Sequence, residues 1–178
     1  MEKIPKNIET DRLRLRLPRL DDAEAIFLKY AQDLEVTKYL IWAPHSSIAQ
    51  TKEFIQSCVQ RVADGDTFPR VIEIKSNHEL IGMIDLRIVK HRADFGYVVA
   101  QDYWGEGYAT EALKAVVSYA LSLESIFRVW AVCDVENIAS ARVMEKAGLE
   151  KEGVLRNYII HPGISHEPRD CFCYSIVK

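Results

Sequence analysis

The run Gln101-Asp102-Tyr103-Trp104-Gly105-Glu106-Gly107-Tyr108-Ala109-Thr110 sets two glycines directly before a segment with helical spacing. Such a junction suits an anion. The first amides of a helix lack intrahelical acceptors and the helix dipole is positive there, so phosphate is favoured. Glycine and alanine also let the backbone come close to phosphate oxygens; for a bare Gly-x-Gly the competing reading is a tight turn and nothing more. Two other nucleotide loops fit worse. Thr110 stands where a dinucleotide fingerprint has its last glycine, and no Gly-Lys-Ser/Thr is present for a Walker loop.

Metal chemistry has little support. His45, His78, His91, His161 and His166 form no helical HExxH pattern and have no cysteine partners at zinc-finger spacing. Cys58, Cys133, Cys171 and Cys173 contain no CxxC pair, and the last two alternate on what reads as a strand, so reduced core thiols are expected. No metal is expected.

The elements around the loop follow from periodicity. Arg12 to Leu17 alternates basic and apolar residues, which puts the leucines on one face of a half-buried strand. Asp21 or Asp22 can cap a helix burying Ile26, Phe27 and Tyr30. Ser47 with Gln50 forms a capping-box pattern before a helix carrying Phe54, Ile55, Cys58, Val59 and Val62, and Gly65 is its stop. Val71 to Ile74, Leu80 to Val89 and Phe95 to Val99 read as an antiparallel meander. Tyr108 to Leu121 is helical, with a polar stripe at Glu111, Lys114, Ser118 and Ser122. A strand from Arg128 to Cys133 follows. A short helix then opens at Asn137 and stops at Gly148, and closing strands run from Leu149 to Arg156 and from Phe172 to Val177. Strand-helix-strand alternation in this half requires a parallel pair joined by a crossover helix.

With 178 residues, 48% of them hydrophobic, the chain has material for one well-buried core, and a single domain spanning 1–178 is expected. The net charge of -3 and the dispersed Lys and Arg give no footprint for nucleic acid. The opening Met1-Glu2-Lys3-Ile4-Pro5 lacks an apolar signal region. No stretch approaches the roughly 18 apolar residues of a membrane helix, so no membrane partner and a cytoplasmic location are expected.

The segment from Tyr103 to Ala112 resembles the acetyl-CoA signature of the GNAT superfamily, Gln/Arg-x-x-Gly-x-Gly/Ala, with Gly107 and Ala109 at the small-residue positions. Trp104 replaces the usual Gln or Arg, a departure familiar from the branch of ribosomal-protein N-terminal acetyltransferases. The segment Asn137-Ile138-Ala139-Ser140, continuing to Gly148-Leu149, resembles the second signature of that branch. Two elements roughly thirty residues apart, each in its own strand and helix context, are more specific than either alone. The resemblance extends from Asp11-Arg12-Leu13 to the closing strand.

The resemblance implies an α/β fold with a mixed, mostly antiparallel, seven-stranded sheet splayed between its fourth and fifth strands and flanked by about four helices. The pantetheine arm would lie in that gap. The implied activity is transfer of an acetyl group from acetyl-CoA to a primary amine, either a peptide N-terminus or a small molecule such as a polyamine or antibiotic. The acceptor pocket would then lie near Tyr39 to His45. Implied cofactor contacts are the backbone of Val98 and Val99, the loop residues Trp104, Gly105, Gly107, Tyr108, Ala109 and Thr110, and Asn137, which can also simply cap its helix.

Ser140 occupies the position of the proton donor in the ribosomal branch, and Met144 stands where many other members place a tyrosine; a serine near a helix start also occurs without catalytic purpose. The carboxylate that the branch uses as base aligns with Arg156-Asn157-Tyr158, and Asn157 cannot take a proton. Asp94 is the preferred substitute, with Asp85 second. For an α-amine, whose ordinary pKa is about 7.7 to 8.0, a water relay could suffice. Asn157 also supports an alternative from another class, a non-catalytic acyl-CoA binding or sensing module. An unrelated phosphate-binding domain with a chance likeness is a third. The oligomeric state, a homodimer included, is open.

Overall fold

The computed structural model describes Pro5, residues 7–65 and residues 67–178. Strand β1 (Asn7–Glu9) pairs antiparallel with β2 (Leu13–Arg16), in which Leu13 and Leu15 are fully buried as the alternation requires. The arginine face is less wet than the pattern predicts. Arg16 is 9% exposed and is held by Asp22 at 2.7 Å and by Glu73 at 2.7 Å, so two carboxylates compensate its burial. Asp22 also accepts from the Arg19 amide at 2.7 Å, ahead of the helix it was expected to cap.

Helix α1 (Ala23–Ile26) runs on into a π turn over Phe27–Ala31 and buries Ile26 and Tyr30. A short α2 (Leu34–Thr37) follows, capped by Asp33 through the amides of Glu35 and Val36. Helix α3 (Ile48–Asp64) begins at Ser47, whose hydroxyl accepts from the Gln50 amide, and ends at Gly65 in the left-handed conformation. The Gln50 side chain returns to the Ser46 amide at 2.8 Å, one residue earlier than a standard capping box.

Strands β3 (Thr67–Ile74), β4 (Glu79–Val89) and β5 (Arg92–Val99) form the antiparallel meander. Helix α4 (Tyr108–Ser122) crosses to β6 (Arg128–Asp134), which lies parallel to β5. Helix α5 (Ile138–Lys146), capped by Asn137 through the Ser140 amide, leads to β7 (Glu150–Ile159) and β8 (Arg169–Val177). The described sheet has eight strands in the order β1-β2-β3-β4-β5-β6-β8-β7, and every pairing except β5 with β6 is antiparallel. Two expectations are corrected here. The additional strand is β1 and the fifth helix is α2; each is one turn or three residues long, too short to show a period.

One core lies between the sheet and α4 with α5, around Ile84, Leu86, Phe95, Leu113 and Val129. A second lies on the opposite face under α1 and α3, around Ile26, Tyr30, Ile55, Val71 and Met83. The sheet is therefore covered on both sides, and its one weak seam decides where a ligand can enter. β5 and β6 pair only through Arg92–Asp94 and Arg128–Trp130. Beyond those pairs, the stretch from Phe95 to Val99 parts from the stretch from Ala131 to Asp134. This is the expected splay, displaced by one in strand number because of β1.

Candidate active site

A cavity of about 820 Å3 passes through this seam. On one side it is lined by Gly105, Gly107, Tyr108, Ala109 and Thr110 at the start of α4, and by Asn137, Ser140 and Met144 of the α5 region. On the other it reaches Tyr39, Trp42 and His45, then Tyr30, Cys58 and Arg61 of the helical face, and Asp85, Arg87 and Asp94 of the sheet. The two sides meet at Gly96, Tyr97, Val98 and Val99 on the free edge of β5.

The loop before α4 is shaped by two left-handed glycines, Gly105 with φ of 83° and Gly107 with φ of 80°. Residues with a Cβ rarely adopt this region, so both positions need glycine. Gly107 is the residue before the helix, and the first amide to find a helical acceptor is that of Glu111, bonded to Gly107 O at 3.0 Å. The preceding first-turn amides have no helical acceptor, and their residues Tyr108, Ala109 and Thr110 line the cavity. These residues fit a diphosphate: a helix N-terminus, a backbone without side chains at the close approach, and the small Ala109 beside it.

The loop is braced from both ends. Trp104 Nε1 donates to Val99 O at 2.7 Å, which ties the loop to the free end of β5 and engages a carbonyl that the resemblance assigned to the pantetheine arm. Arg12 donates from Nε to Glu111 at 2.6 Å and from Nη1 to Glu106 O at 3.1 Å, and its guanidinium lies 4.4 Å over the Tyr108 ring. Thr10 Oγ1 donates to Glu111 Oε1 at 2.6 Å. These contacts hold Glu111 below its usual pKa against the opposing effect of desolvation, the hydrogen bond from Thr10 contributing most. The brace spans about a hundred residues of sequence separation and has no local signature.

Ser140 Oγ lies 2.8 Å from Tyr97 Oη, across the gap between α5 and β5. Burial pushes the Tyr97 phenol far up, so it keeps its proton at any physiological pH. Tyr97 was not singled out from the sequence, because a tyrosine alternating on a strand carries no motif. Gly82 was also missed: a Cβ there would lie 2.2 Å from Val98 O, so β4 and the end of β5 approach at a distance only glycine allows.

Asp94 lines the cavity, but its carboxylate accepts from Arg87 Nε at 2.6 Å. Asp85 differs. Its Oδ1 is buried with no hydrogen-bond partner, and desolvation raises its pKa above the ordinary carboxylate value despite Arg87 and Arg61 nearby. Asn157 stands on the irregular stretch of β7 with φ of 49°, exposed, while its neighbours Tyr158 and Ile159 line the cavity. The wall near Tyr39 to His45 is fixed by packing: Trp42 sits 5.0 Å from the His45 ring, and His45 Nδ1 is 2.8 Å from Thr51 Oγ1. The loop after β7 closes over this wall, with His161 donating to Leu40 O at 3.4 Å and Gly163 against the Lys38 backbone.

All four cysteines are free and buried, as expected. Among the described residues no helix is long and apolar enough to cross a membrane.

Residues 12–150 match the model of the acetyltransferase (GNAT) domain. The chain belongs to the GNAT acetyltransferase family. Within it, the chain is 40% identical to the uncharacterized N-acetyltransferase YoaA of Bacillus subtilis, over 96% of each chain. Among solved structures it is similar to the microcin C7 self-immunity acetyltransferase MccE in complex with acetyl-CoA and AMP. That match has 25% identity and a TM-score of 0.84 and covers 95% of this chain and 94% of the other. The fold is also that of the ribosomal L7/L12 α-N-protein acetyltransferase RimL, with a TM-score of 0.84 at 20% identity over 96% and 97% of the two chains. The GNAT chain described here is thus an acyltransferase whose acceptor must be argued from its own cavity.

Proposed function

We propose that the protein transfers an acetyl group from acetyl-CoA to a primary amine, with a peptide N-terminal α-amine or a small-molecule amine as acceptor. The observation that carries this reading is the seam itself. The amide-rich start of α4, the Ser140–Tyr97 pair and the free edge of β5 all open onto one cavity that continues to a second, side-chain-rich chamber. Acetyl-CoA, when bound, supplies the activated acetyl group as a thioester. It is also what the MccE structure contains, which supports the same ligand for this loop.

The chain's own residues then have distinct tasks. Gly105, Gly107, Tyr108, Ala109 and Thr110 offer main-chain amides to the diphosphate, and Arg142 and Lys146, which also line the cavity, add positive charge to that side. The exposed edge of β5 at Val98 holds the pantetheine arm, while Trp104 keeps that edge and the loop at a fixed spacing. Asn137 caps α5 and so sets the position of Ser140. Ser140 gives its proton to the departing thiolate, and Tyr97, kept protonated by burial, stands behind it. Asp94 is spent on Arg87 and acts by holding the sheet face in shape.

The test is thiol release against N-terminal peptides, polyamines and aminoglycosides, beside the shift in melting temperature with acetyl-CoA. A shift with turnover of one acceptor class is the expected result. A shift without thiol release from any amine would instead support the sensing module, and no shift would remove both readings.

A further inference from the structure

Three buried polar atoms lack hydrogen-bond partners on the helical side of the cavity: Asp85 Oδ1, Arg61 Nε and Tyr30 Oη. A buried polar group without a partner costs about 1 to 3 kcal/mol, so three of them on residues that line one chamber point to a ligand or ordered water on that side. One is an anion, one a cation and one a hydroxyl. Such a set suits an ammonium beside a carbonyl oxygen.

Asp85 has a second property that the others lack. Its cross-strand partner is Gly96, and cross-strand partners share a face with Cβ atoms about 4.5 to 5.5 Å apart. A Cβ at Gly96 would meet nothing within 4 Å. Gly96 is also two residues past Asp94, the last residue of β5 paired with β6. The space above Gly96 is therefore open both towards Asp85 and towards the gap. The geometry points to Asp85 as the residue that receives the acceptor's proton, with Gly96 as the opening through which the amine reaches the thioester.

This assignment rests on the transferase reading. The ammonium loses one proton to the Asp85 carboxylate, whose side chain is 21% exposed. The freed nitrogen lone pair forms the bond to the acetyl carbonyl carbon, and the thioester C–S bond breaks. The second nitrogen proton is lost as the amide forms, and the departing thiolate is protonated from Ser140, which that proton restores. Asp85 then releases its proton to water, so an ammonium and a thioester give an amide, a thiol and one proton.

The charged and titratable groups facing Asp85 are Arg87, with Nη1 at 4.0 Å, and Asp94 on the sheet, and Arg61 and Cys58 on α3. Desolvation outweighs the two arginines, so the carboxyl titrates above its ordinary range. Two consequences have opposite sign. Activity falls as pH drops through this raised pKa, because the base form is lost. Stability moves the other way: a raised carboxyl pKa means that the charged form is disfavoured in the folded state, a penalty present above that pKa and relieved below it.

The experiment compares the wild-type chain with Asp85→Asn, Asp94→Asn and Gly96→Val, using thiol release from the best acceptor across pH, acetyl-CoA affinity and melting temperature. For Asp85→Asn we expect kcat to fall by about 100-fold, loss of the enzyme's acid limb, unchanged acetyl-CoA affinity and a melting temperature at or above wild type. Asp94→Asn keeps that limb. Gly96→Val leaves Asp85 in place but fills the opening, and kcat/KM for the amine falls by roughly tenfold or more. If the wild type turns over an amine and Asp85→Asn does so within about threefold and with the same acid limb, the assignment of Asp85 is overturned while the transferase reading stands. If Gly96→Val turns over the amine as the wild type does, the opening is overturned. If the wild type binds acetyl-CoA and acetylates no amine, the transferase reading falls and Asp85 falls with it.

Discussion

On the α4 side of the cavity, the proposed grip on acetyl-CoA uses main-chain amides and two left-handed glycines, one of them the helix N-cap, all within one short run of sequence. On the α1 and α3 side the proposed acceptor would meet Tyr30, Arg61, Asp85 and the wall from Tyr39 to His45, which come from four separate elements and loops. The first side presents peptide groups, which every residue has, so its demands fall on residues that stay out of the way. The second presents side chains, some of which, such as Tyr30 and His45, also belong to the packed interior. A common donor can thus be gripped by a fixed frame while the acceptor is chosen by a surface assembled from distant parts of the chain.

That contrast can be broken by substitution. Gly107→Val is the severest test of the first side: it puts a branched residue at φ of 80° in the diphosphate loop, and acetyl-CoA affinity should fall by about 100-fold. Isothermal titration would show it, and unaltered affinity would mean that the loop does not hold the cofactor. Ser140→Ala should lower kcat by roughly 10- to 100-fold with little change in acetyl-CoA affinity, as expected for a group acting on the leaving sulfur. Steady-state kinetics beside binding would separate the two, and an unchanged kcat would leave Ser140 an ordinary first-turn serine without a catalytic role. The smallest effect belongs to Arg12→Ala, which removes the brace under Glu106 and Glu111; the exposed pair is worth little alone, so a loss of affinity of about threefold is expected. A loss as large as that of Gly107→Val would show that the brace, and not the glycines, defines the loop.

The sequence reading succeeded where local pattern and tertiary role coincide. Leu13 and Leu15 alternate because one face of β2 is packed, Asn137 and Gly65 stand at the ends of their helices, and the glycine pair marks a backbone conformation that other residues avoid. It missed β1 and α2, whose few residues show no period, and Arg16, whose burial depends on Asp22 and Glu73 arriving from elsewhere. The candidate site divides in the same way. The α4 loop was legible as a motif. The Tyr97 to Ser140 hydrogen bond joins residues 43 apart in sequence, and the isolation of Asp85 Oδ1 depends on what surrounds it. Asp94 and Asp85 look alike as strand carboxylates; only the placement of Arg87 tells them apart.

The central claim is that main-chain amides at the start of α4 grip the diphosphate of coenzyme A. A crystal structure of the protein grown with acetyl-CoA tests it directly. The account predicts phosphate oxygens about 2.7 to 3.2 Å from amide nitrogens between Gly105 and Thr110. Phosphates bound away from that turn, with the turn left to solvent, would contradict it.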